Sequence, residues 1–419
     1  MKKILPGLLV LLALLLCALC LSPKTAPETE AASPPAETAA APTPTPAPTP
    51  LRASITVAGD LVLHTSVVNQ CRTADGGYDF TPLFEDVSHY VSDADLALCC
   101  FEGAFVKSNY QGYPLFLVPD GLAASLRTVG FDLVATASNH AMDGGKAGVA
   151  RTLDVLDKAG LDHVGTYRTQ AERDADHGVV VEDVNGIRIA FLDYTYGTNG
   201  IPTTNAPYAV NLLYTDYMTS FSKVDYGLLD ADLAYAKSLK PDLIAVIAHW
   251  GTEYIPAKQP AQEALAKYWF SHGVDLVLGG HPHVPEPMET VTVTDENGNE
   301  KTGFICYCLG NLLANMKETD HKYCTLTAMV QLEIAKDTVT GKTTLEKASY
   351  VPMALIDTQD LGITGAGWRF RVWDLNAAIA DYEAGDDRGG ILTEKLYNTL
   401  KGYRADLEQV CGTKLEADS

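Results

Sequence analysis

The sequence predicts an α/β fold in which helices cover a β-sheet. Short apolar runs alternate with helical patterns along the chain, and this alternation is typical of βα units rather than of a helical bundle or an all-β sandwich. Seven apolar runs are predicted strands, and they begin at Ser54, Asp95, Asp132, Ile187, Asp242, Asp275 and Phe304. Helices are predicted at 145–159, ahead of Gly160, and at 260–272, ahead of Gly273.

Two segments precede the predicted fold. Residues 1–22 begin with two lysines and continue as an apolar run, which predicts a secretory signal peptide or an uncleaved membrane anchor. A lipid attached at Cys17 or Cys20 is an alternative. Residues 23–52 are rich in Pro, Ala and Thr and predict an extended linker, because this composition cannot form a core. We therefore expect an exported protein on the extracellular face, either membrane-anchored or associated with the cell wall.

The remainder of the chain is predicted to form one main domain and a short extension. Residues 53–357 contain all the predicted strands, and Asn297-Gly298 within them predicts a hairpin turn. Residues 358–419 are aromatic at first and then helical in pattern, which predicts a C-terminal helical extension packed on the domain. An independent small module is the alternative for this last segment.

Composition and charge exclude some classes of partner. Hydrophobic residues make up 47% of the 419 residues, enough for a packed core. The formal net charge of -22 argues against binding to nucleic acid or to an anionic lipid surface, since both require clustered Lys and Arg. The cysteines in the apolar runs are predicted to be buried thiols, because no Cys-X-X-Cys spacing occurs after the linker.

The candidate site residues lie at or just beyond the carboxyl ends of the apolar runs. They are Asp60, Glu102, Asn139, His140, His249, His281 and His283. Any one of them alone would be an ordinary turn residue or structural histidine. In a sheet of parallel character, however, these ends converge on one edge, where binding sites form. Their coincidence therefore indicates a metal site.

The types of ligand restrict the metal. A mixture of imidazole with carboxylate or amide oxygen favours Zn, Mn, Fe or Co over Ca or Mg. The set exceeds one tetrahedral shell, and a carboxylate can bridge two ions, so we expect two divalent ions, with Mn, Fe or Zn favoured. Two ions about 3.5 to 4 Å apart can clamp a phosphoryl group.

Six motifs that carry these residues occur in a recognisable order. They are GD at Gly59, FEG at Phe101, SNHAMDGGKAG from Ser138, HWGTEY from His249, GGHPHVPEPME from Gly279 and CLGN from Cys308. In order and content they resemble the motifs of CapA-type proteins of bacterial capsule and poly-gamma-glutamate synthesis. The resemblance spans about residues 54–357. It implies a four-layered α/β sandwich of the calcineurin-like metallophosphoesterase type.

The same resemblance implies a role for each ligand. Asp60 and His283 would hold one ion, and Glu102 would bridge to a second ion. That second ion would be held by Asn139, His249 and His281. His140 would lie near the leaving group as a proton donor or charge stabiliser.

Three further residues have predicted roles with alternatives. Asp143 is expected to orient His140 or to cap the following helix. Glu253 is expected to hold a ligand histidine in place, and a purely structural role is equally consistent with the sequence. His64, four residues after Asp60, could add a metal ligand or a substrate contact.

The chain departs from the family pattern at two positions. Cys100 and Phe101 precede Glu102 where members often carry Asn-Leu, and Val62 stands where the phosphoesterase pattern has a histidine two residues after the first Asp. One of the two metal sites is therefore expected to be weaker or to lack its ion.

These features support two main functions. The first is metal-dependent hydrolysis of a phosphoester, or of an amide or ester of an envelope polymer. The second is a non-catalytic accessory role, in which the protein binds an anionic envelope polymer such as poly-gamma-glutamate and recruits its membrane synthase. A structural wall protein with a relic ligand set is a third interpretation. Fold alone does not select the substrate.

Overall fold

The computed structural model describes residues 49–412 and the backbone of residues 415–416. The strands, in chain order, are β1 (Leu51–Leu61), β2 (Leu96–Phe101), β3 (Ala104–Val106), β4 (Leu117–Pro119), β5 (Leu133–Ala135), β6 (Asp162–Val164), β7 (Val180–Val184), β8 (Ile187–Thr195), β9 (Leu243–His249), β10 (Leu276–Gly280), β11 (Met288–Thr294), β12 (Glu300–Cys306), β13 (Asn311–Leu313), β14 (Leu326–Lys336), β15 (Thr343–Asp357), β16 (Phe370–Asp374) and β17 (Leu415–Glu416).

The helices lie between and after these strands. They are α1 (Thr65–Gln70), α2 (Ser88–Ser92), α3 (Gly121–Val129), α4 (Gly145–Ala159), α5 (Gln170–Asp176), α6 (Tyr226–Ser238), α7 (Pro260–Ser271), α8 (Leu375–Glu383) and α9 (Glu394–Cys411), with a 3-10 turn at Thr81–Phe84. The predicted helix at 145–159 is confirmed, and Gly160 follows it in the left-handed conformation with φ of 75°. The predicted helix at 260–272 is also confirmed, as α7, which ends one residue earlier at Ser271.

Two sheets form the centre of the domain. The first has the order β16-β15-β14-β1-β2-β5-β6, with β13 against β1 and β17 against β15. In this sheet β1, β2, β5 and β6 are parallel, whereas β14, β15 and β16 run antiparallel to their neighbours. The second has the order β11-β12-β10-β9-β8-β7, with β8, β9, β10 and β12 parallel. All seven predicted strands are present, and β11 and β12 form the predicted hairpin.

Alternating side chains place the sheets face to face. Val57 lies in the core between the sheets, together with Phe191 of the second sheet, whereas the next residue, Ala58, faces the helices. The outer face of the first sheet packs on α3 and α4, and that of the second packs on α6 and α7. The order of layers is thus helix, sheet, sheet, helix, which confirms the predicted four-layered α/β sandwich.

The segment from residue 358 continues this sandwich. Its first element, β16, is the edge strand of the first sheet. Apolar residues of α8 and α9, including Leu375 and Leu400, then pack on the inner face of β14 and β15. Here the two helices take the place that the second sheet occupies elsewhere.

Burial and hydropathy bear on two further predictions. The seven cysteines from Cys71 to Cys411 are all buried and unpaired within the described residues. This confirms the prediction for the four in the apolar runs, which are Cys99, Cys100, Cys306 and Cys308. The predicted signal or anchor at 1–22 lies outside the described residues, as does the linker up to residue 48. In the part of the chain that the structure describes, we find no helix of the length and apolar character needed to cross a membrane.

Candidate metal centre

Asp60 connects the carboxyl end of β1 to that of β10. Its side chain is fully buried, and Oδ2 accepts a hydrogen bond from the backbone N–H of His281 at 2.8 Å. Oδ1 has no hydrogen-bond partner among the described residues. Burial raises the pKa of Asp60 to about 7, and the bond from His281 opposes this rise. Gly280 is needed beside it, because a Cβ atom there would lie 2.5 Å from Oδ1.

Glu102, directly after β2, lies at the centre of the group. It is fully buried, and neither carboxylate oxygen has a hydrogen-bond partner within residues 49–412. Its oxygens lie 3.8 Å from Nε2 of His140, 3.8 Å from Nε2 of His249 and 3.9 Å from Nδ1 of His283. Burial, followed by the charge of Asp60, raises the pKa of Glu102 well above its usual value. A buried carboxylate without donors is costly, and a cation among these atoms would remove that cost.

Three buried histidines surround Glu102, and hydrogen bonds hold the rings of two of them in place. Nε2 of His249 lies 2.9 Å from Oδ1 of Asn139, and Nδ1 of His283 lies 3.0 Å from Oδ1 of Asn311. Nδ1 of His281 has no partner among the described residues. Burial lowers the pKa of His249 and of His281 well below the usual value, and that of His283 to about 4. Burial therefore favours the neutral form of each ring, which is the form that metal ligation requires.

The loop after β10 holds two of these histidines in an unfavourable backbone conformation. His281 has φ of 94° and His283 has φ of 59°, both in the left-handed region that residues other than glycine rarely adopt. Each such residue costs about 1–3 kcal/mol, and residues of this kind cluster at functional sites. The surrounding contacts thus maintain a geometry that the backbone alone would not choose.

Two overlapping sets of three residues bring ligand atoms within 4.8 Å of one another. They are Glu102 with His281 and His283, and Asp60 with Glu102 and His249. Glu102 belongs to both sets, which suits a bridging carboxylate. One set contains Asp60 and His249, and the other contains His281 and His283. The resemblance instead implies that Asp60 shares an ion with His283, and this division of ligands between the two ions stays a prediction. Buried unpartnered oxygens next to neutral imidazoles fit a divalent cation.

His140 lies at the edge of this group. Its Nδ1 is 2.7 Å from Oδ2 of Asp143, and its Nε2 is 3.0 Å from Nδ2 of Asn199. Oδ2 of Asp143 also accepts the backbone N–H of Phe116 at 2.6 Å, and the ring of Phe116 packs edge-on against His140. The cap residue of α4 is Gly144, so Asp143 contacts His140 rather than capping that helix.

Two of the additional candidates lie outside the group. Nδ1 of His64 is 3.2 Å from the carbonyl oxygen of Val62 and accepts the backbone N–H of Asn315 at 3.2 Å, and His64 belongs to neither set of three. Glu253 is exposed in the loop after β9 and makes no hydrogen bond to a histidine within residues 49–412. The contacts predicted for Glu253 are made instead by Asn139 and Asn311.

The sequence patterns gave no role to three residues of this site. Asn311, in the CLGN motif, contacts His283, and Asn199 contacts His140. The hydroxyl of Tyr196 accepts a hydrogen bond from Nδ2 of Asn139 at 3.3 Å. Tyr196 and Asn199 follow β8, so the same strand-end rule that identified the other residues also applies to them.

The part of the chain that carries these residues matches a known family. Residues 54–316 match the family described as "Bacterial capsule synthesis protein PGA_cap". Over 270 residues the chain is 27% identical to the capsule biosynthesis protein CapA of Bacillus anthracis, covering 62% of this chain and 60% of that protein. Over 221 residues it is 30% identical to the PGA biosynthesis protein CapA of Bacillus subtilis (strain 168), covering 51% of this chain and 49% of that protein.

The chain spans only part of the length of these relatives, between about half and three fifths. Among solved structures, a calcineurin-like phosphoesterase of Bacillus subtilis aligns over 85% of this chain and 100% of its own, with 13% identity and a TM-score of 0.39. The family match covers more than half of the chain and includes every candidate ligand from Asp60 to His283. The protein therefore belongs to the PGA_cap family of bacterial capsule synthesis proteins.

Proposed function

We propose that this protein is a metal-dependent hydrolase of a phosphoester, acting outside the cell membrane in the synthesis of a capsule or of poly-gamma-glutamate. The observation that carries the proposal is the environment of Glu102. Both its oxygens are buried without hydrogen-bond partners among the described residues, and imidazole nitrogens lie within 4 Å on several sides. Such an arrangement is unfavourable in isolation and favourable around cations.

The proposed cofactor is a pair of divalent ions, with Mn, Fe or Zn favoured by the mixed ligands. The residues that would hold them are Asp60, Glu102, Asn139, His249, His281 and His283. When bound, such ions act as Lewis acids and supply an activated water for attack on a phosphoryl group. The protein contributes neutral imidazoles, buried carboxylates and a fixed backbone at His281 and His283.

His140 is proposed to assist departure of the leaving group. The carboxylate of Asp143 accepts from Nδ1, which fixes the orientation of the ring. Nε2 is then the atom that faces the site, and it currently accepts a hydrogen bond from Asn199. Donation of a proton from Nε2 therefore requires the amide of Asn199 to turn its oxygen toward the ring or to move aside.

The cellular setting is proposed from the relatives and from the amino-terminal sequence. Both curated relatives are named for capsule or PGA biosynthesis. The apolar run and the Pro-rich linker are consistent with a protein held at the outer face of the membrane. The substrate is proposed to be a phosphoester of an envelope polymer or of its precursor, and a membrane polymer synthase is the proposed partner.

A non-catalytic accessory role is the second candidate, and Val62 is the observation that favours it. Val62 is fully buried in an apolar cluster with Phe116 and Ala314, where the phosphoesterase pattern has a histidine ligand. Loss of one ligand would weaken the binding of one metal ion. The remaining site could then bind the polymer without hydrolysing it. In that role the protein would bind or anchor the polymer and its synthase.

Metal content and hydrolysis, measured together, separate the two candidates. The full-length protein would be loaded with Mn²⁺ and assayed by elemental analysis and with phosphomonoester and phosphodiester substrates, beside His281→Ala. The control is His89→Ala, because His89 is exposed on α2. We expect about two equivalents of metal, and turnover that His281→Ala abolishes and His89→Ala retains. Bound metal without turnover would favour the accessory role, and absence of both would refute the hydrolase.

A further inference from the structure

A cleft of about 440 Å³ adjoins the candidate metal centre on the side of the second sheet. Its lining includes Tyr196, Phe221, Thr252, Glu253, Gln259 and His281. Because His281 belongs both to this lining and to the candidate ligands, a group bound in the cleft would lie directly beside the metal centre. Its volume is within the ~300–1,000 Å³ typical of small-molecule sites.

The outer wall of this cleft is an aromatic ring presented to solvent. Phe221 is 43% exposed and has φ of 50°, an uncommon and costly conformation for a bulky residue. Its ring meets Tyr196 edge-on at 5.2 Å, and Tyr196 in turn packs 4.5 Å from the ring of His281. A continuous aromatic path therefore runs from the cleft mouth to the metal centre.

The loop that carries Phe221 is held rigid by one carboxylate. Asp216 accepts hydrogen bonds from the hydroxyls of Ser220 and Ser222 at 2.7 Å each, and from the backbone N–H of Lys223 at 3.0 Å. The loop ends are also joined by a bond from Thr215 N–H to the carbonyl of Lys223 at 2.9 Å. Exposure of the Phe221 ring is thus a fixed feature of the loop, and a preorganised ring binds a partner with less loss of entropy.

The lining of the cleft disfavours a polyanion. Among the described residues that line it, Glu253 is the one carboxylate, and none is Lys or Arg. A chain of carboxylates such as poly-gamma-glutamate would place like groups beside Glu253 with no basic side chain in the lining to pair with them. The lining therefore favours an uncharged group in the cleft, with any anionic group placed at the metal centre.

The polar groups of the cleft suit hydroxyls. The carboxylate of Glu253 is exposed and can accept from them. Thr252 is also exposed and lines the cleft, and its hydroxyl, which donates to Oε1 of Gln259 at 2.8 Å, keeps lone pairs that can accept a hydrogen bond. A flat apolar face beside exposed acceptors suits a sugar ring, since it has C–H faces and hydroxyl edges.

We propose that this cleft is a subsite for an uncharged sugar ring that stacks on Phe221, with its hydroxyls hydrogen-bonded to Glu253 and Thr252. The inference rests on the proposed function, because the sugar would be the group esterified to the phosphate at the metal centre. The substrate class is then a glycosyl phosphoester, and a polyglutamate chain does not enter the cleft.

Binding of neutral sugars tests this proposal independently of turnover. Saturation-transfer NMR on the full-length, Mn²⁺-free protein would measure maltotriose and chitotriose, with tri-γ-glutamate and adenosine as competing probes. We expect a neutral trisaccharide to bind, and Phe221→Ala to weaken it at least about fivefold. Phe221→Tyr should restore binding, because it keeps the ring. The matched control is Tyr226→Ala, which removes an exposed aromatic side chain outside the cleft and should leave binding unchanged.

Three results would overturn the subsite. They are trisaccharide binding that does not depend on Phe221, tighter Phe221-dependent binding of tri-γ-glutamate or adenosine, and no binding of either trisaccharide. Failure of the hydrolase would appear separately, as absence of turnover in the metal assay. Sugar binding in the absence of turnover would support the subsite and point to recognition without catalysis.

Discussion

Acidic side chains at the two ends of the parallel strands differ in whether their carboxylate oxygens are hydrogen-bonded. At the amino ends, four aspartates directly precede strands and accept backbone N–H groups of the neighbouring strand at 2.8–3.0 Å; they are Asp95, Asp132, Asp242 and Asp275. At the carboxyl ends, Asp60 and Glu102 are fully buried and leave three oxygens without partners among the described residues. The contrast teaches that hydrogen-bond satisfaction, rather than residue type, separates structural carboxylates from candidate ligands.

The largest effect that follows from this contrast is on metal binding. Glu102→Gln removes the charge shared by both ligand sets while keeping the side-chain volume. We expect Mn²⁺ affinity to fall about 1,000-fold, roughly 4 kcal/mol, because the buried cation loses its anionic partner. Isothermal titration calorimetry would measure this. Without metal, the variant should unfold no more easily than wild type, since the unpartnered charge is gone.

A second prediction concerns Glu286, which lies between these two cases because one of its carboxylate oxygens is hydrogen-bonded and the other is not. It is fully buried, and Oε2 accepts from Nε2 of Gln262 at 2.8 Å, whereas Oε1 has no partner among the described residues. Burial raises the pKa of Glu286 to about 8. A raised folded-state pKa contributes stability below the unfolded value of about 4.3, and that contribution is lost as pH rises toward 8.

Glu286→Gln should therefore be more stable than wild type at pH 8, by about 4 kcal/mol, and nearly equal to it at pH 4.5. Denaturant unfolding across this pH range, in the presence of a chelator, would measure the difference. Glu289→Gln is the control, because Glu289 is only partly buried and pairs with Lys258. A difference that does not grow with pH would contradict the assignment of a buried, protonated Glu286.

The smallest effect is expected at the amino ends. Asp242→Ala removes the acceptor of the Arg188 N–H and of Nζ of Lys336, both at 2.8 Å. We expect a loss of about 2 kcal/mol in the free energy of unfolding, with metal content unchanged. Glu300→Ala, at an exposed position of β12, should change neither quantity. A loss of metal on Asp242→Ala would contradict the view that carboxylates at the amino ends of the strands are structural and that only those at the carboxyl ends bind metal.

The parallel half of the fold could be predicted because its signal is local. Strands buried on both faces are continuous apolar runs, such as those of β2 and β9, and their carboxyl ends mark the site. The antiparallel strands β14 and β15 were not predicted. They carry partly exposed residues among the buried ones, and the pairing of β14 with β1 depends on contacts far apart in the sequence.

The candidate ligands could likewise be found from strand ends, whereas the residues that orient them could not all be found. Asn311 begins the short strand β13 and Asn199 lies four residues beyond β8, and only the fold shows that they contact His283 and His140. Glu253 is a carboxylate close in sequence to His249, and carboxylates commonly orient ligand histidines, but it lies in the loop after β9 with its side chain exposed.

The course of β1 has a practical consequence for handling this protein. Leu51 and Asp60 lie near opposite ends of the same strand, roughly 30 Å apart at the usual rise per residue. A purification tag or surface-coupling group joined just ahead of Leu51 would thus begin at the end of the strand remote from the metal centre. Immobilised protein prepared in this way should keep the entrance to the centre open, which makes it suitable for flow-based ligand screening.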